Sequence, residues 1–428
     1  MRRELRLIDC FGIGVNGIVG SGIFLLPAIV FRRAGGMSPL AWLAVGTLCA
    51  LVALCFAEAA GRTSDSGGPY RYARDAFGPH VGFAVGWVTL VSALLGYAAV
   101  SRGFAQHAAW LLGREGDRTL EGALVIALVV TLALVNLRGV KPGARTGDVV
   151  GAVKLVALVG FALYGLTRLR PGVFAALPAP HVGEAAGVTS AAFAGLFAIT
   201  GFEYVPVPAG ETVDPKRTVG LAMVLSVLGA TVLYMLLQTV AMGTVPDLGA
   251  SSTPLVDAAR ALGGPAFATA MAALAVVSAF GFCSSSAIVC PRYLESFARD
   301  RFLPAWLERR SAGGAAPVPA ILLSSVIVAA LALRLDFTSL ADTSNVAIVA
   351  QYTTTCVGVV VMRRRAGAEP SRFRLPFGYT IPAAAIVGCI LFLVSVAVGE
   401  IWLTAAFLAV GMFVGTIMRR TRPAPAGR

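Results

Sequence analysis

The stretch Gly17-Ile18-Val19-Gly20-Ser21-Gly22-Ile23-Phe24 lies in the middle of the first long apolar run of the sequence. Each glycine in a helix interior costs roughly 1 kcal/mol relative to alanine, so three of them within six positions favour unwinding. In a bilayer, unwound backbone leaves N–H and C=O groups unpaired, which is tolerable only where they line a cavity within the protein or meet a ligand. The stretch therefore predicts a broken helix with a ligand site at the break.

The composition places the chain in a membrane. Of its 428 residues, 57% are hydrophobic and only 13% are charged, whereas a soluble domain carries about 25% charged residues. The formal charge of +13 comes from short basic clusters between apolar runs rather than from one amphipathic face, which argues against nucleic-acid binding. The seven cysteines lie within or at the edges of apolar runs without a CxxC pair, so neither a disulfide framework nor a metal site is predicted.

Long apolar runs in such a chain predict transmembrane helices, because a hydrocarbon core of about 30 Å needs about 20 helical residues to cross it. Twelve runs occur, joined by short connections, and they predict an all-α integral membrane protein with a single transporter domain over residues 1–428. The runs cover residues 8–31, 40–60, 81–112, 121–137, 149–167, 188–208, 219–244, 265–290, 319–335, 346–362, 381–398 and 401–418.

The distribution of lysine and arginine predicts the orientation, because cytoplasmic loops retain positive charge. Alternating the connections between two faces places 25 of the 35 basic residues on one face and 8 on the other, with Arg102 and Lys154 inside spans. Both termini are therefore expected in the cytoplasm and the protein in the cytoplasmic membrane. The basic start resembles a signal peptide, but no small-residue cleavage site closes the run, so it is interpreted as a retained first span.

A second interruption occurs in the sixth run. It comprises Phe197-Ala198-Ile199-Thr200-Gly201-Phe202-Glu203 followed by Pro206 and Pro208, whose rings and missing N–H groups disturb a helix. Broken spans at matching positions of two five-span halves, here 8–167 and 188–362 with two extra helices over 381–418, point to an inverted-repeat transporter with a site near the midplane. The alternative is that the glycines only allow close helix packing.

The two breaks together suit a zwitterion. A half-helix that begins after Gly22 offers free N–H groups and a positive dipole to a carboxylate. Free carbonyls at the breaks can accept hydrogen bonds from an ammonium group. The prediction is a receptor for a small amino acid, built from backbone and therefore indifferent to the identity of its side chains.

Four groups of motifs resemble the amino acid-polyamine-organocation superfamily, in its branch of bacterial amino acid permeases and antiporters. They are Gly20-Ser21-Gly22-Ile23-Phe24; Gly67-Gly68-Pro69-Tyr70 with Phe77-Gly78 and Gly86-Trp87; Gly201-Phe202-Glu203 with Glu211 and Asp214-Pro215-Lys216-Arg217; and Arg292 with Ala298-Arg299-Asp300 and Leu303-Pro304. The resemblance implies the LeuT-type fold, which has a 5+5 inverted repeat followed by two C-terminal helices.

The resemblance also implies roles at the breaks. The amides of Ser21 and Gly22 would hold the substrate carboxylate, carbonyls near Ile18, Phe197 and Thr200 would take its amino group, and Phe197 would form an aromatic gate. The full set of expected substrate-binding residues is Ile18, Gly20, Ser21, Gly22, Ile23, Phe197, Ala198, Thr200 and Gly201.

Two charged residues within spans are candidates for coupling. Lys154 lies six residues into the fifth run, where an unpaired cation costs about 2.5 to 3.5 kcal/mol. The resemblance implies that it reaches carbonyls of the first and eighth spans in place of a sodium ion, which would make transport sodium-independent. Snorkelling to the interface is the alternative. Glu203 can titrate during transport or only cap the broken helix.

Other polar residues leave two alternatives each. Tyr97 can face the substrate or only pack, and Ser285, with its neighbours Ser284 and Ser286, can meet Lys154 or bond to its own helix. Glu58 is expected to form an interfacial ion pair. Arg102 and His107 can line an external vestibule, although location at the interface explains them as well.

The third run contains no Asp or Glu, so a neutral amino acid is the expected substrate, with a polyamine or cationic amino acid antiporter as the alternative. A channel would need a filter or a polar stripe, and an enzyme would need a catalytic cluster at depth, so no catalytic residue or cofactor is predicted. A non-transporting amino acid sensor stays open. The expected partners are an amino acid, the lipid bilayer and a proton, in a monomer or homodimer.

Overall fold

The structure is a computed structural model that describes residues 6–20, 22–62, 68–138, 144–169, 184–205, 212–311, 316–365 and 377–421. Fourteen α-helices and no β-strand occur within these ranges. The helices are α1 (Leu7–Ile18), α2 (Gly22–Ala34), α3 (Ser38–Ala60), α4 (Gly68–Phe77), α5 (Pro79–Leu111), α6 (Arg118–Leu137), α7 (Ala144–Arg168), α8 (Glu184–Ile199), α9 (Pro215–Thr244), α10 (Pro254–Arg299), α11 (Val318–Arg334), α12 (Phe337–Arg364), α13 (Thr380–Val394) and α14 (Val398–Thr421).

The helices make this a multi-pass membrane protein. Eight helical segments of the described chain are long and apolar enough to cross a bilayer, and α8, α11 and α13 are shorter apolar helices. Each of the twelve predicted apolar runs falls on one of these helices, except that the first falls on both α1 and α2. Many large apolar side chains of the outer helices are exposed, including Val326 on α11 at 66% and Phe413 on α14 at 69%, as expected of surfaces that meet lipid.

Both predicted breaks are present. Helix α1 ends at Ile18 and α2 begins at Gly22, so the glycine-rich stretch is unwound between them. Helix α8 ends at Ile199, and a single 3₁₀ turn over Phe202–Tyr204 follows Gly201. Ser21, Pro206 and Pro208 lie outside the described residues. The first run is thus divided between two helices, and the α-helix of the sixth run ends just before Gly201, where the sequence predicted a break.

The structure differs from the sequence prediction in one extra helix and in several helix bounds, among them the start of α12 at Phe337 instead of residue 346. Helix α10 begins at Pro254 instead of Pro265, because a kink at Gly264, with a φ of +76°, joins a short helix to the predicted span. Helix α4 was not predicted, since it is short and polar. Its Tyr70 donates a hydrogen bond of 2.9 Å to Asp300 after α10, and burial together with this bond raises the pKa of the tyrosine.

The broken helices lie at the centre of the bundle. Helix α1 packs on α9, α2 packs on α8, and α5 packs on α10 and α12. The core is continuous across these contacts, and its largest buried side chains include Trp42, Tyr97, Tyr234 and Tyr352. This packing brings the glycine stretch of the first run against the glycine of the sixth.

Candidate functional site

The two breaks touch through their backbones. Gly201 has a φ of +121°, which favours glycine, and a Cβ there would overlap the carbonyl group of Gly17. A Cβ built at Gly17 would lie 2.9 Å from the carbonyl oxygen of Gly201, closer than real contacts allow. Only glycine fits at both positions, so the sequence lets two unwound segments meet without side chains between them.

A buried tyrosine joins the carbonyls of the two breaks. The Tyr234 hydroxyl on α9 lies 3.2 Å from the carbonyl oxygen of Ile18 and 3.2 Å from that of Ala198, and it can donate to either. Its ring packs edge-to-face on Trp42, with centroids 5.2 Å apart. The Ile18 oxygen also accepts the N–H of Gly20 at 2.8 Å, whereas the Ala198 oxygen keeps a second acceptor position for a ligand.

Lys154 of α7 reaches the first break. Its ammonium group, 4% exposed, donates a short hydrogen bond to the carbonyl oxygen of Val19. Ser278 of α10 approaches the same region, with its hydroxyl 3.1 Å from the carbonyl oxygen of Gly20 and 3.4 Å from that of Val19. One cation and one hydroxyl thus bind the carbonyls freed by unwinding. The Lys154 side chain therefore reaches the break, whereas the snorkelling alternative placed it at the interface.

The start of α2 is poised for an anion. The first N–H groups of an α-helix have no partner within the helix, and the macrodipole is positive at that end. Helix α2 begins at Gly22, close to α8: a Cβ built there would lie 3.1 Å from both Cα and Cβ of Ala198. Helix α8 therefore closes one side of this terminus, and a larger side chain at Gly22 has no room. Ile23, in the same first turn, is fully buried.

Aromatic rings surround the break. Phe197, 8% exposed, packs edge-to-face on Phe337 at the start of α12, with ring centroids 5.5 Å apart. A Cβ built at Gly20 would meet only Phe282, at 3.6 Å, and one built at Gly96 would meet Phe282 and Phe197 at 3.8 and 4.0 Å. These glycines leave space between the rings, and the surroundings of that space are apolar.

Tyr97 of α5 carries a buried hydroxyl without a hydrogen-bond partner among the described residues. The side chain is only 2% exposed, and it lies one residue after Gly96, which borders the space between the rings. A buried hydroxyl that makes no bond costs free energy, so such groups are rare unless a ligand or water completes them. This favours the alternative in which Tyr97 faces the substrate.

Glu203 lies at the second break and is bonded within the protein. Its Oε2 atom accepts the N–H of Gly201 at 2.8 Å and the hydroxyl of Tyr352 at 3.3 Å. The first bond is the capping interaction that one of the two alternatives for this carboxylate predicts. The hydroxyl of Thr200 donates to the carbonyl of Phe197 at 3.0 Å, which also holds the unwound turn together. Both contacts fix the conformation of the break.

Ion pairs join the helices at both ends of the bundle. At one end Arg33 of α2 lies 2.7 Å from Asp342 of α12 and donates to the carbonyl of Ser190 on α8 at 3.0 Å. At the other end Glu58 of α3 pairs with Arg62 and with Arg363 of α12, which confirms the ion pair expected of Glu58. The Arg33 contacts tie the outer ends of both broken spans to α12.

The structure brings most of the predicted residues to one place. Around the two breaks lie Ile18, Gly20, Gly22, Ile23, Tyr97, Lys154, Phe197, Ala198, Thr200, Gly201 and Glu203. Ser21 lies outside the described residues. Ser285 is exposed and its hydroxyl bonds to Gly281 of its own helix, so it is Ser278, two turns earlier, that meets the break.

Sequence reasoning missed Tyr234, Ser278 and Phe282. Nothing local in the sequence separates Ser278 from the serines at 284–286, because all lie in one apolar run of α10. Tyr234 is a single polar side chain in the middle of the seventh run, where its burial predicts a partner but not which one. Its position identifies it only once α9 is known to cross both breaks.

Comparison with known proteins shows what the chain is similar to. The family model described as amino acid permease matches residues 5–417. The methylthioribose transporter of Bacillus subtilis is 25% identical over 97% of this chain and 93% of its own length. The branched-chain amino acid permease BcaP of Lactococcus lactis is 24% identical, over 89% of this chain and 86% of its own.

A plant protein is similar as well. The vacuolar cationic amino acid transporter 4 of Arabidopsis thaliana is 26% identical over 85% of this chain, which spans 64% of that longer protein. The names of the three relatives give different substrates. The similarity therefore identifies the family and its architecture rather than one particular substrate.

Proposed function

The chain belongs to the amino acid permease family, and we propose that it moves neutral L-amino acids across the cytoplasmic membrane by alternating access. The observation that carries this proposal is the contact of two unwound segments through Gly17 and Gly201, with a helix N-terminus and freed carbonyls beside them. Family relatives are transporters, and this chain has the same kind of task, the movement of an amino acid. The substrate preference and the coupling mode are argued below.

The substrate would bind across both breaks. Its carboxylate meets the amides at the start of α2, at Ser21, Gly22 and Ile23, where the dipole favours an anion. Its ammonium group meets carbonyls of Ile18, Phe197 and Thr200. The Phe197 oxygen has an acceptor position left beside its bond to the Thr200 hydroxyl, and the ammonium group would replace the Tyr234 hydroxyl on the Ile18 oxygen. Gly20, Ala198 and Gly201 shape the backbone, and Phe197 covers the site.

The proposed architecture has twelve spans in a LeuT-type arrangement. Residues 8–167 and 188–362 would form inverted repeats, 381–418 two extra helices, and the whole chain one transporter domain. Both termini lie in the cytoplasm, in keeping with the basic residues on that face. The Arg33 ion pair then closes the extracellular end by joining α2 and α8 to α12.

A neutral side chain suits the surroundings of the site best. The rings of Phe197, Phe282 and Phe337 border the space next to Gly20 and Gly96, and α5 contributes no carboxylate there. Glu203 is already bonded to the N–H of Gly201 and to Tyr352. A cationic amino acid or a polyamine is the alternative substrate, since one relative is named a cationic amino acid transporter.

Coupling would not involve sodium. Lys154 places an ammonium group on the Val19 carbonyl, so the break is already occupied by a fixed cation. Proton symport and amino acid exchange both fit this arrangement, with Lys154 or Glu203 as the group that changes protonation. The oligomeric state, monomer or homodimer, has no bearing on the site, since both breaks come from one chain.

A transport assay in proteoliposomes tests the function. We expect saturable counterflow of labelled L-leucine, equal in sodium and in choline media, and poor counterflow of L-lysine. An imposed inward proton gradient without internal amino acid separates symport from exchange, because only a symporter then accumulates substrate. Specific binding of L-leucine without any counterflow would instead identify a sensor and contradict the proposal.

The unpartnered hydroxyl of Tyr97 gives a sharp prediction. Tyr97→Phe should raise the KM for uptake about five- to tenfold, since one neutral hydrogen bond contributes about 0.5–1.5 kcal/mol. The melting temperature of this variant should not fall, because the hydroxyl makes no hydrogen bond to any described residue. Tyr234→Phe is the contrast: it should lower the melting temperature, since that hydroxyl bonds both breaks. An unchanged KM in Tyr97→Phe would mean that the ring only packs.

A further inference from the structure

A charged cavity lies apart from the two breaks. It has a volume of about 360 Å³ and lies where α6 begins and α11 ends, against α5. Its lining combines three arginines, two carboxylates and a few apolar residues: Arg102, Arg118, Arg334, Glu121, Asp336, Ala105, Gly122, Val125, Leu333 and Leu335. We propose that this cavity binds the headgroup of an aminophospholipid, with the arginines on the phosphate and the carboxylates on the ammonium group.

The arginines are available to a ligand. Arg118 and Arg334 form no hydrogen bond or ion pair within the described part of the chain, and both are exposed. Arg102 uses one nitrogen, which donates to the carbonyl of Ala332 at 2.8 Å, and retains its other donors. Guanidinium groups suit phosphate because they present several N–H donors in a fixed plane.

Membrane topology does not explain why these arginines cluster at the cavity. Arg118 and Arg334 belong to the 8 basic residues on the face that is poor in them, so the rule for retained positive charge does not account for their presence. Interfacial arginines that only snorkel extend toward the aqueous phase independently of one another. Here side chains from α5, α6 and the end of α11 line the same cavity, which is the arrangement of a binding site.

The mixed charge selects the headgroup. A site for a simple anion gains nothing from Glu121 and Asp336 in its wall, whereas a headgroup with a phosphate and a primary ammonium uses both signs. Asp336 accepts the N–H and the hydroxyl of Ser339 as the cap of α12, and its oxygens still have free acceptor positions. Phosphatidylethanolamine has this chemistry, while the quaternary ammonium of phosphatidylcholine cannot donate hydrogen bonds.

A lipid fits better than a free amino acid because of the surface around the cavity. Large apolar side chains are exposed from the cavity along α6 and α11, among them Ile126 at 47%, Val130 at 49% and Leu333 at 45%. In a bilayer these faces contact acyl chains, so a headgroup in the cavity can keep its chains in the groove between the two helices. A free zwitterion would leave this apolar surface unused.

Binding of the lipid headgroup in the cavity would affect the transport site through α12. Asp336 immediately precedes Phe337, whose ring packs on Phe197 at the break. A headgroup held by Asp336 and Arg334 fixes the start of α12 and with it the position of Phe337. This second step rests on the proposed function, whereas binding of the lipid does not.

Lipid binding is measured directly by native mass spectrometry of the purified full chain. The protein in detergent is mixed with equal amounts of phosphatidylethanolamine, phosphatidylglycerol and phosphatidylcholine. We expect a single retained phosphatidylethanolamine, favoured about tenfold over the other two, as one or two charge-assisted hydrogen bonds would give. Equal retention of the three lipids, or undiminished retention of phosphatidylethanolamine by the cavity variants, overturns the proposal whether or not the protein transports.

Two variants remove the site in different ways. Arg118→Gln/Arg334→Gln removes two positive charges, and Gly122→Leu fills the cavity without changing charge, since a Cβ there meets only Leu333 at an ordinary 3.5 Å. Both should lose the retained phosphatidylethanolamine. Gly160→Leu on α7 is the control, because a Cβ added there meets nothing within 4 Å. If excess L-leucine displaced the lipid, the cavity would be a second amino acid site. That result would contradict the proposal of a lipid site.

Discussion

Gly22→Leu should reduce uptake by about a hundredfold while the protein still inserts into the membrane. A Cβ at this position already lies 3.1 Å from two atoms of Ala198, and the rest of a leucine side chain would extend toward Phe197. Forcing extra methylene groups into such a contact costs about 1–3 kcal/mol, and each 1.4 kcal/mol is a factor of ten. The leucine also separates α2 from α8 and moves the amides that would hold the carboxylate.

Initial uptake rates, normalised to protein in the membrane, measure this effect. The matched control is Gly12→Leu in α1, at an exposed position where an added Cβ meets nothing within 4 Å, so its rate should equal that of the parent. Gly22→Ala should lie between them, because its single methyl group requires a shift of only a few tenths of an ångström. Normal uptake by Gly22→Leu would remove the proposed site.

The helices were predictable because lipid imposes one strong rule, that apolar runs long enough to cross must be helical. The breaks were predictable for the same reason, since Gly17, Gly20 and Gly201 weaken helices that have no water to replace their hydrogen bonds. This rule does not predict helix α4, because α4 is short and polar and lies outside the hydrocarbon. The rule also does not predict the kink at Gly264, where one residue with a positive φ connects two helices without a polar loop.

The site was predictable only as far as its backbone. Sequence position gives the residues that unwind, but a freed carbonyl can be met by any donor that the fold brings near. Tyr234 and Ser278 meet those carbonyls from α9 and α10, each more than 200 residues along the chain from the first break. From the sequence alone, Ser285 was as good a candidate as Ser278 for meeting the break. Only the rotation of α10 determines which of the two serines faces it.

Lys154→Met should lower uptake by about ten- to a hundredfold. The substitution keeps the length of the side chain but removes the donor to Val19, whose buried carbonyl is then left with Ser278 at 3.4 Å. A buried acceptor that loses its partner costs about 1–3 kcal/mol, and here the cost falls on the segment that would bind the substrate. Insertion should not suffer, because a cation at this depth costs about 2.5 to 3.5 kcal/mol by itself.

Paired serine variants separate this effect from a general loss of stability. Ser278→Ala removes the other donor to the same segment, so its uptake should fall in the same direction, by about fivefold for one neutral hydrogen bond. Ser285→Ala changes an exposed hydroxyl that bonds to Gly281 in its own helix, and its uptake should equal that of the parent. If Lys154→Met transported normally, the cation would not be needed to hold the break. A fixed charge in place of a sodium ion would then no longer explain sodium-independent transport.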